Sequence, residues 1–233
     1  MSNRVIVTGS SGQLGSEISK RLVELGREVV GIDMCEGQHT SLVADLTDSV
    51  DLGRVQSLFL EENFDLVNNA GRAVFSDPLH RSRSEFLDLL ELNLWVPNAL
   101  MGAFVRGGAC GRVVNISSLY GMRVADQRIY INSDRASSEV YAASKAGLTQ
   151  LTKYYAGRYG SETQQFNVVS PGGVRADISG QTPEFVKAYS SKVPMSRMAT
   201  GREVASTVGW LIAEAPAYIN GQELVVDGGY SVR

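Results

Sequence analysis

The opening of the chain constrains it most: a β-branched run, Val5-Ile6-Val7, is followed by Thr8-Gly9-Ser10-Ser11-Gly12-Gln13-Leu14-Gly15 and then by a pattern carrying Ile18, Leu22 and Leu25 that stops at Gly26. The branched run predicts a strand buried on both faces, and the apolar spacing after the turn predicts a helix ended by glycine. A glycine-rich turn between the two lets backbone N–H groups approach a pyrophosphate at the positive end of the helix dipole.

The pattern then repeats. Glu28-Val29-Val30-Gly31-Ile32 reads as a second strand ending in Asp33, 18 residues past Gly15, the spacing at which an acid receives the ribose hydroxyls of adenosine. An acid there repels a 2′-phosphate, and neither Met34 nor the glycine turn offers an arginine to hold one, so NAD is favoured over NADP. Ser41 to Ala44 is a short third strand. Asp45-Leu46-Thr47-Asp48 follows at its carboxyl end, with Asp45 placed to accept from an adenine amine and Thr47 or Asp48 capping a helix that runs to about Glu62. Asp65 to Asn68 is a fourth strand ending in Asn69-Ala70-Gly71, small residues that let backbone pass close to a bound cofactor. This alternation predicts an α/β domain over residues 1–233, built on one parallel, doubly wound sheet with helices on both faces.

Composition narrows the function. The length suits one compact domain, and the 24 glycines suit many tight turns. A net charge of −3 without a basic run argues against nucleic acid or an anionic membrane as partner. Cys35 and Cys110 lack a CxxC pattern or a neighbouring histidine, so neither a disulfide framework nor a metal site is expected. No signal-peptide pattern and no membrane-length apolar run is present, and a cytoplasmic protein is expected.

From about Arg83 to Arg106 a long helical segment is expected, kinked at Pro97. Within it, Asn93 stands among Leu90, Leu92, Leu94 and Trp95, where a buried amide must be hydrogen-bonded for simple core satisfaction. Val113 to Ile116 is a fifth strand that delivers Ser117-Ser118 to its carboxyl end. The next helix, Tyr141 to Tyr159, opens with Tyr141-Ala142-Ala143-Ser144-Lys145, in which the tyrosine and lysine share one face. A free phenol titrates near ~10, and an ammonium beside it favours the phenolate, bringing it toward the range of a general acid/base. Phe166 to Val169 is a sixth strand ending at Ser170-Pro171-Gly172. Gly201 to Ala213 reads as a capped amphipathic helix, and Glu223 to Val226 as the closing strand.

In order and spacing, these motifs resemble the short-chain dehydrogenase/reductase family over essentially the whole chain. The residues that carry the resemblance are Thr8-Gly9 through Gly15, Asp33, Asp45-Leu46, Asn68-Asn69-Ala70-Gly71, Asn93, Asn115-Ile116-Ser117-Ser118, Tyr141 with Lys145, Pro171-Gly172, and the tail from Ile219-Asn220-Gly221 to Asp227-Gly228-Gly229. The resemblance implies a Rossmann-type sheet of about seven strands and an Asn-Ser-Tyr-Lys catalytic set. In it, Tyr141 exchanges a proton with the substrate oxygen, Lys145 lowers the tyrosine pKa and binds the nicotinamide ribose, Ser118 orients the carbonyl or alcohol, and Asn93 bends its helix and holds a water for proton relay. It also implies that Gly9, Ser11, Gly12, Gln13, Leu14, Gly15, Asp33, Asp45, Leu46, Asn69, Ala70, Gly71, Tyr141, Lys145, Pro171, Gly172 and Val174 bind the cofactor. Residues from about 175 to 200 become a substrate lid, with Arg175 and Lys187 as candidate ligands for an anionic small-molecule substrate. The expected assembly is a homodimer or homotetramer, and the expected reaction is NAD-dependent interconversion of a secondary alcohol and a ketone.

Three departures stand out. The turn is spaced TGxxGxxG, typical of the branch acting on nucleotide sugars, where the single-domain branch has TGxxxGxG, and Gln13 takes the place of that pattern's middle glycine. Ser118 and Tyr141 lie 23 residues apart, a longer gap than usual, so the stretch from 121 to 140, around Gln127 to Arg135, is expected to form a polar inserted loop at the substrate pocket. Ala176 stands where a threonine often meets the nicotinamide carboxamide. The first two departures keep a second reading open, a nucleotide-sugar epimerase or dehydratase holding its NAD tightly, and the Tyr130 to Tyr141 stretch resembles relatives in bacterial surface-sugar pathways. A third reading is a non-catalytic cofactor-sensing protein.

Overall fold

A computed structural model describes residues 3–61, 63–130, 135–176 and 181–232. Seven parallel strands form one sheet: β1 (Arg4–Thr8), β2 (Glu28–Asp33), β3 (Leu42–Val43), β4 (Asp65–Asn68), β5 (Gly111–Ile116), β6 (Gln164–Pro171) and β7 (Glu223–Val226), in the order β3-β2-β1-β4-β5-β6-β7. The chain first winds outward from β1 to β3, then restarts at β4 on the other side of β1. The crevice outside the carboxyl ends of β1 and β4 is therefore the switch point at which such sheets bind ligands.

Alternation along the strands feeds two cores. Ile6, Leu66, Val113 and Phe166 point to one face, where they meet Phe59 of α2 (Ser49–Glu61), Leu100 and Phe104 of α4 (Val96–Arg106) and Ala156 of α5 (Glu139–Tyr159). Their sequence neighbours Val5, Val7, Val67 and Val114 point to the other, against Ile18 and Leu22 of α1 (Gln13–Glu24) and Val204, Val208 and Leu211 of α7 (Gly201–Ala213). Burial on both faces explains why the inner strands read as unbroken apolar runs. Local signals set the helix ends. Asp48, one of the two expected caps, accepts the Val50 and Asp51 amides at 2.9 and 3.0 Å, and Thr200 with Glu203 forms a reciprocal capping box at the start of α7. The α2 helix ends at Glu61; Glu62, its expected end, lies outside the described residues.

The expected long helix from Arg83 to Arg106 is divided. The α3 helix (Arg83–Leu90) passes into a π-helical turn, Glu91–Trp95, before α4 begins. Pro97 has no N–H to give to the Asn93 carbonyl, and the Val96 amide reaches back to Glu91 instead, so an extra residue is accommodated and the kink falls on Asn93.

The inserted stretch also differs from the expected polar loop. Asp126 caps a short 3₁₀ turn, Gln127–Ile129, and forms an ion pair with Lys192 at 3.0 Å. Ile129 is wholly buried in a third, smaller core with Tyr189, Val193 and Met198, flanked by Tyr120, Tyr130, Phe185 and Tyr230. Tyr189 and Phe185 belong to α6 (Pro183–Ser190) in the expected lid, so insertion and lid are one packed unit. Residues 131–134 of the insertion and 177–180 of the lid lie outside the described residues.

Candidate active site

A cleft of about 750 Å³ runs along the carboxyl ends of the strands, within the size range of small-ligand and cofactor sites. Its floor is the glycine turn. Gly9 sits at φ +68°, and its carbonyl oxygen accepts the Gly12 amide at 3.2 Å. Gly12 begins α1 without a side-chain cap, so the first N–H groups of the helix are left for a ligand. A Cβ on Gly15 would overlap the Gly9 carbonyl, which is why the helix can start this close to the strand only with glycine there. Leu14 and Gln13 line the same floor, and the Gln13 side-chain amide donates to the Arg175 carbonyl at 2.5 Å, joining the turn to the segment that leads into the lid.

The walls are held by side chains that turn toward backbone. Asp33 accepts the Ser11 amide at 2.9 Å and the Cys35 amide at 3.1 Å, which fixes its carboxylate at the cleft edge. Ser11 departs from its expected place: its hydroxyl turns away to Thr40 and the Cys35 carbonyl, so only its amide serves the site, through Asp33. Asp45 accepts both the amide and the hydroxyl of Thr47, and these bonds hold its carboxyl below the usual carboxylate range. Asn69 donates to the carbonyls of Thr8 and Gly9, and the Thr8 hydroxyl accepts the amides of Asn69 and Ala70, which staples the end of β4 to the end of β1. Leu46, Ala70, Gly71, Pro171, Gly172 and Val174 complete the lining. Backbone donors at a bare helix start, an acid at the end of β2 and glycines where a Cβ would collide together fit a dinucleotide.

Ser118, Tyr141 and Lys145 converge at one end of this cleft. The Ser117 hydroxyl turns inward to the Lys145 carbonyl at 2.9 Å, while Ser118 faces the cavity and hydrogen-bonds Tyr141. Ser138 caps α5 by accepting the Tyr141 amide at 3.2 Å, so the tyrosine sits in the first turn of the helix. Its hydroxyl is enclosed by protein, which pushes the phenol pKa up, and the hydrogen bond from Ser118 acts in the opposite direction. Lys145 Nζ donates to the Ile116 carbonyl at 2.7 Å and lies 5.7 Å from the Tyr141 ring centroid; burial lowers its pKa to about 8. The lowering of the Tyr141 pKa expected from Lys145 is thus outweighed: burial dominates, and the ammonium is turned to a carbonyl.

Asn93 stands behind the cleft wall, fully buried. Its Oδ1 accepts the Arg72 amide at 3.0 Å, and its Nδ2 donates to the Arg72 carbonyl at 2.9 Å and to Ser144 at 3.1 Å. These bonds make it a positioning residue that fixes the Gly71-Arg72 wall against α5. Ala176 is buried, and its amide goes to the side chain of Gln181 at 2.9 Å.

A second cavity of about 260 Å³ opens on the other side of Tyr141 and Ser118, and it shares Ala73, Gly172 and Val174 with the cleft. Phe75, Tyr120, Tyr130, Phe185 and Tyr189 supply most of its wall, with Arg135, Ser138 and Gln181 as polar members. The rings of Tyr130 and Phe185 lie 5.6 Å apart, and the Tyr189 hydroxyl accepts the Gly173 amide at 2.5 Å. Sequence reasoning missed these residues; the available signal was the aromatic content of the insertion and the lid. Arg175 and Lys187, the expected anion ligands, are exposed and line neither cavity. Among the described residues no group of His, Cys, Asp or Glu side chains suited to a metal ion is present, and no helix is long and apolar enough to cross a membrane.

Comparison with known proteins agrees with this geometry. A family model described as enoyl-(acyl carrier protein) reductase matches residues 9–231. The 3-oxoacyl-(acyl-carrier-protein) reductase of Salmonella typhimurium is 29% identical over 244 residues, covering 96% of this chain and 95% of the relative. A short-chain dehydrogenase of Leptospira borgpetersenii with bound NAD+ superposes with a TM-score of 0.88 at 28% identity, covering 99% of this chain and 93% of that one. An Agrobacterium tumefaciens structure with bound NADP superposes with a TM-score of 0.85 at 24% identity, covering 99% and 96%. The chain belongs to the short-chain dehydrogenase/reductase family of oxidoreductases.

Proposed function

We propose that this protein is an NAD-dependent dehydrogenase or reductase that interconverts a secondary alcohol and a ketone on a small substrate. The observation that carries the reading is the position of Tyr141 and Ser118 at the seam between a dinucleotide-sized cleft and a small aromatic pocket. A nicotinamide bound in the cleft supplies or accepts the hydride. The protein's part is to bind, orient and move one proton. The amides at the start of α1 hold the pyrophosphate, Asp33 accepts from the adenosine ribose hydroxyls and repels a 2′-phosphate, and Asp45 with Leu46 borders the adenine. Lys145 donates to the nicotinamide ribose, and Pro171, Gly172 and Val174 border the ring. In the reductive direction the Tyr141 phenol gives its proton to the carbonyl oxygen while the Ser118 hydroxyl donates a hydrogen bond to that oxygen. In the oxidative direction the tyrosine takes the proton back.

The size of the aromatic pocket supports a single ring or short chain as substrate, in preference to a nucleotide sugar carried through an epimerase cycle. The presence of both Tyr141 and Lys145 at the seam supports catalysis over sensing alone. A homodimer or homotetramer remains the expected assembly, supported by the exposed Tyr154 on α5 and Val225 on β7. A monomeric mass in light scattering at micromolar concentration would count against it.

The cofactor assignment is tested by calorimetric titration of both dinucleotides into the wild type and Asp33→Asn. NAD binds more tightly to the wild type, and the variant narrows the gap by about tenfold. Tighter binding of NADP by the wild type would refute the role given to Asp33.

A further inference from the structure

Resting on the dehydrogenase reading, we propose that the substrate carries a carboxylate or another compact anion and that Arg135 is its receptor. Arg135 is the one charged residue among the described residues lining the aromatic pocket, whose wall includes no aspartate or glutamate. Its guanidinium carbon lies 3.8 Å from the ring centroid of Phe75 and 6.0 Å from that of Tyr130, a stacked placement that orients the planar cation. The backbone beneath it is tied from two sides. Gln127 donates to the Arg135 carbonyl at 3.0 Å and accepts the Ser137 amide at 2.9 Å, while the Ala136 amide donates to the Phe75 carbonyl at 2.8 Å. A cation held over a ring at a pocket that ends on Tyr141 and Ser118 gives a ligand a defined direction: its anion at Arg135, its oxidisable carbon toward Tyr141. The aromatic walls favour a flat or ring-shaped body between the two ends. A guanidinium supplies a two-pronged donor that suits carboxylate or phosphate and does not suit a neutral amide.

The same residue explains the long Ser118-to-Tyr141 gap in functional terms. The insertion carries Tyr130 and Arg135 to the pocket, and Ile129 anchors it by packing with Tyr189 in the lid. Specificity for charge therefore comes from the insertion, whereas proton transfer comes from α5.

The test separates binding from turnover. Benzoate and its neutral isostere benzamide are titrated by calorimetry into the NAD-saturated protein, as wild type, Arg135→Gln, Arg135→Lys and the exposed control Lys187→Gln. Wild type and the Lys187 variant prefer benzoate by about tenfold or more; the preference disappears in Arg135→Gln and is partly kept in Arg135→Lys. Equal affinity for the two probes, a benzoate preference that survives Arg135→Gln, or no binding of either at about 10 mM would overturn the assignment. Turnover is scored separately with matched secondary alcohols bearing a carboxylate or its amide. Benzoate selectivity without turnover of any alcohol counts against the dehydrogenase reading and leaves the anion receptor standing. Turnover that is indifferent to the carboxylate counts against the receptor alone.

Discussion

The cleft along the strand ends and the aromatic pocket beside it share Ser118, Tyr141, Gly172 and Val174, yet one is made chiefly of backbone and the other of side chains. In the cleft, each wall is a turn at the end of a strand, and the polar side chains that help form it, Asp33, Thr8 and Asn69, are bonded to amides and carbonyls of neighbouring turns. Its shape follows from the sheet, so it is set once the sheet forms. The pocket is assembled from segments at 75, 120–138 and 181–198 that meet only through rings and one buried isoleucine. Its shape depends on how a few side chains pack, so it can vary between proteins that share the sheet.

The comparison can be broken at its boundary first. Tyr141→Phe removes only the transferable proton and should lower kcat by about 10³-fold while leaving the affinity of NAD and of benzoate unchanged. Stopped-flow hydride transfer at near wild-type rate in that variant would remove Tyr141 from the chemistry.

Gly15→Ala strikes the backbone-built side alone. The added Cβ meets the Gly9 carbonyl, and overpacking of this kind costs about 3 kcal/mol, seen as a lower Tm and weaker NAD binding. An unchanged melt would mean that the turn can yield and that the cleft is less rigid than described.

Ile129→Ala is the counterpart on the side-chain-built side. Emptying that core position costs about 2 kcal/mol, and because Ile129 packs only within the smaller core, KM for substrate should rise while NAD affinity holds. A parallel loss of NAD affinity would show that the two cavities are one mechanical unit.

The smallest effect is a pH dependence. Burial holds Lys145 near 8 in the folded protein, below its ordinary value of 10.5, so above pH 8 the unfolded chain keeps a proton that the folded one has lost. Folding stability should therefore rise between about pH 8 and 10, by at most about 1.4 kcal/mol per pH unit. Lys145→Met should flatten the rise. A stability that falls over that window in the wild type and not in the variant would show that the ammonium is better accommodated than its burial implies.

The same division explains what could be read from the sequence. Gly15, Asp33, Asn69, Ser118, Tyr141 and Lys145 were legible because strand ends and helix starts have fixed chemistry: a turn needs glycine, and a strand's last residue points at the crevice. Ser11 was misplaced because its hydroxyl has a local choice, the Thr40 hydroxyl or the cleft, that spacing does not decide. The π turn at Asn93 required the coupling of Pro97 to the carbonyl of residue 93, which a helical period alone does not report. Arg135, Phe75 and Phe185 were not legible because their meeting depends on three loops of unrelated sequence arriving together, and nothing in the local pattern of any one of them encodes the others.

One bond described above has a consequence for rates. Gln13 and Arg175 are 162 residues apart in the chain, yet the glutamine amide closes the floor of the cleft against the base of the lid. Glycine in that position would leave the two edges unconnected. With glutamine there, a dinucleotide leaving the cleft must wait for an amide–carbonyl bond to open, so the residence time of the cofactor becomes tied to the movement of the segment that covers the substrate. Exchange of one ligand is thereby gated by the exchange of the other.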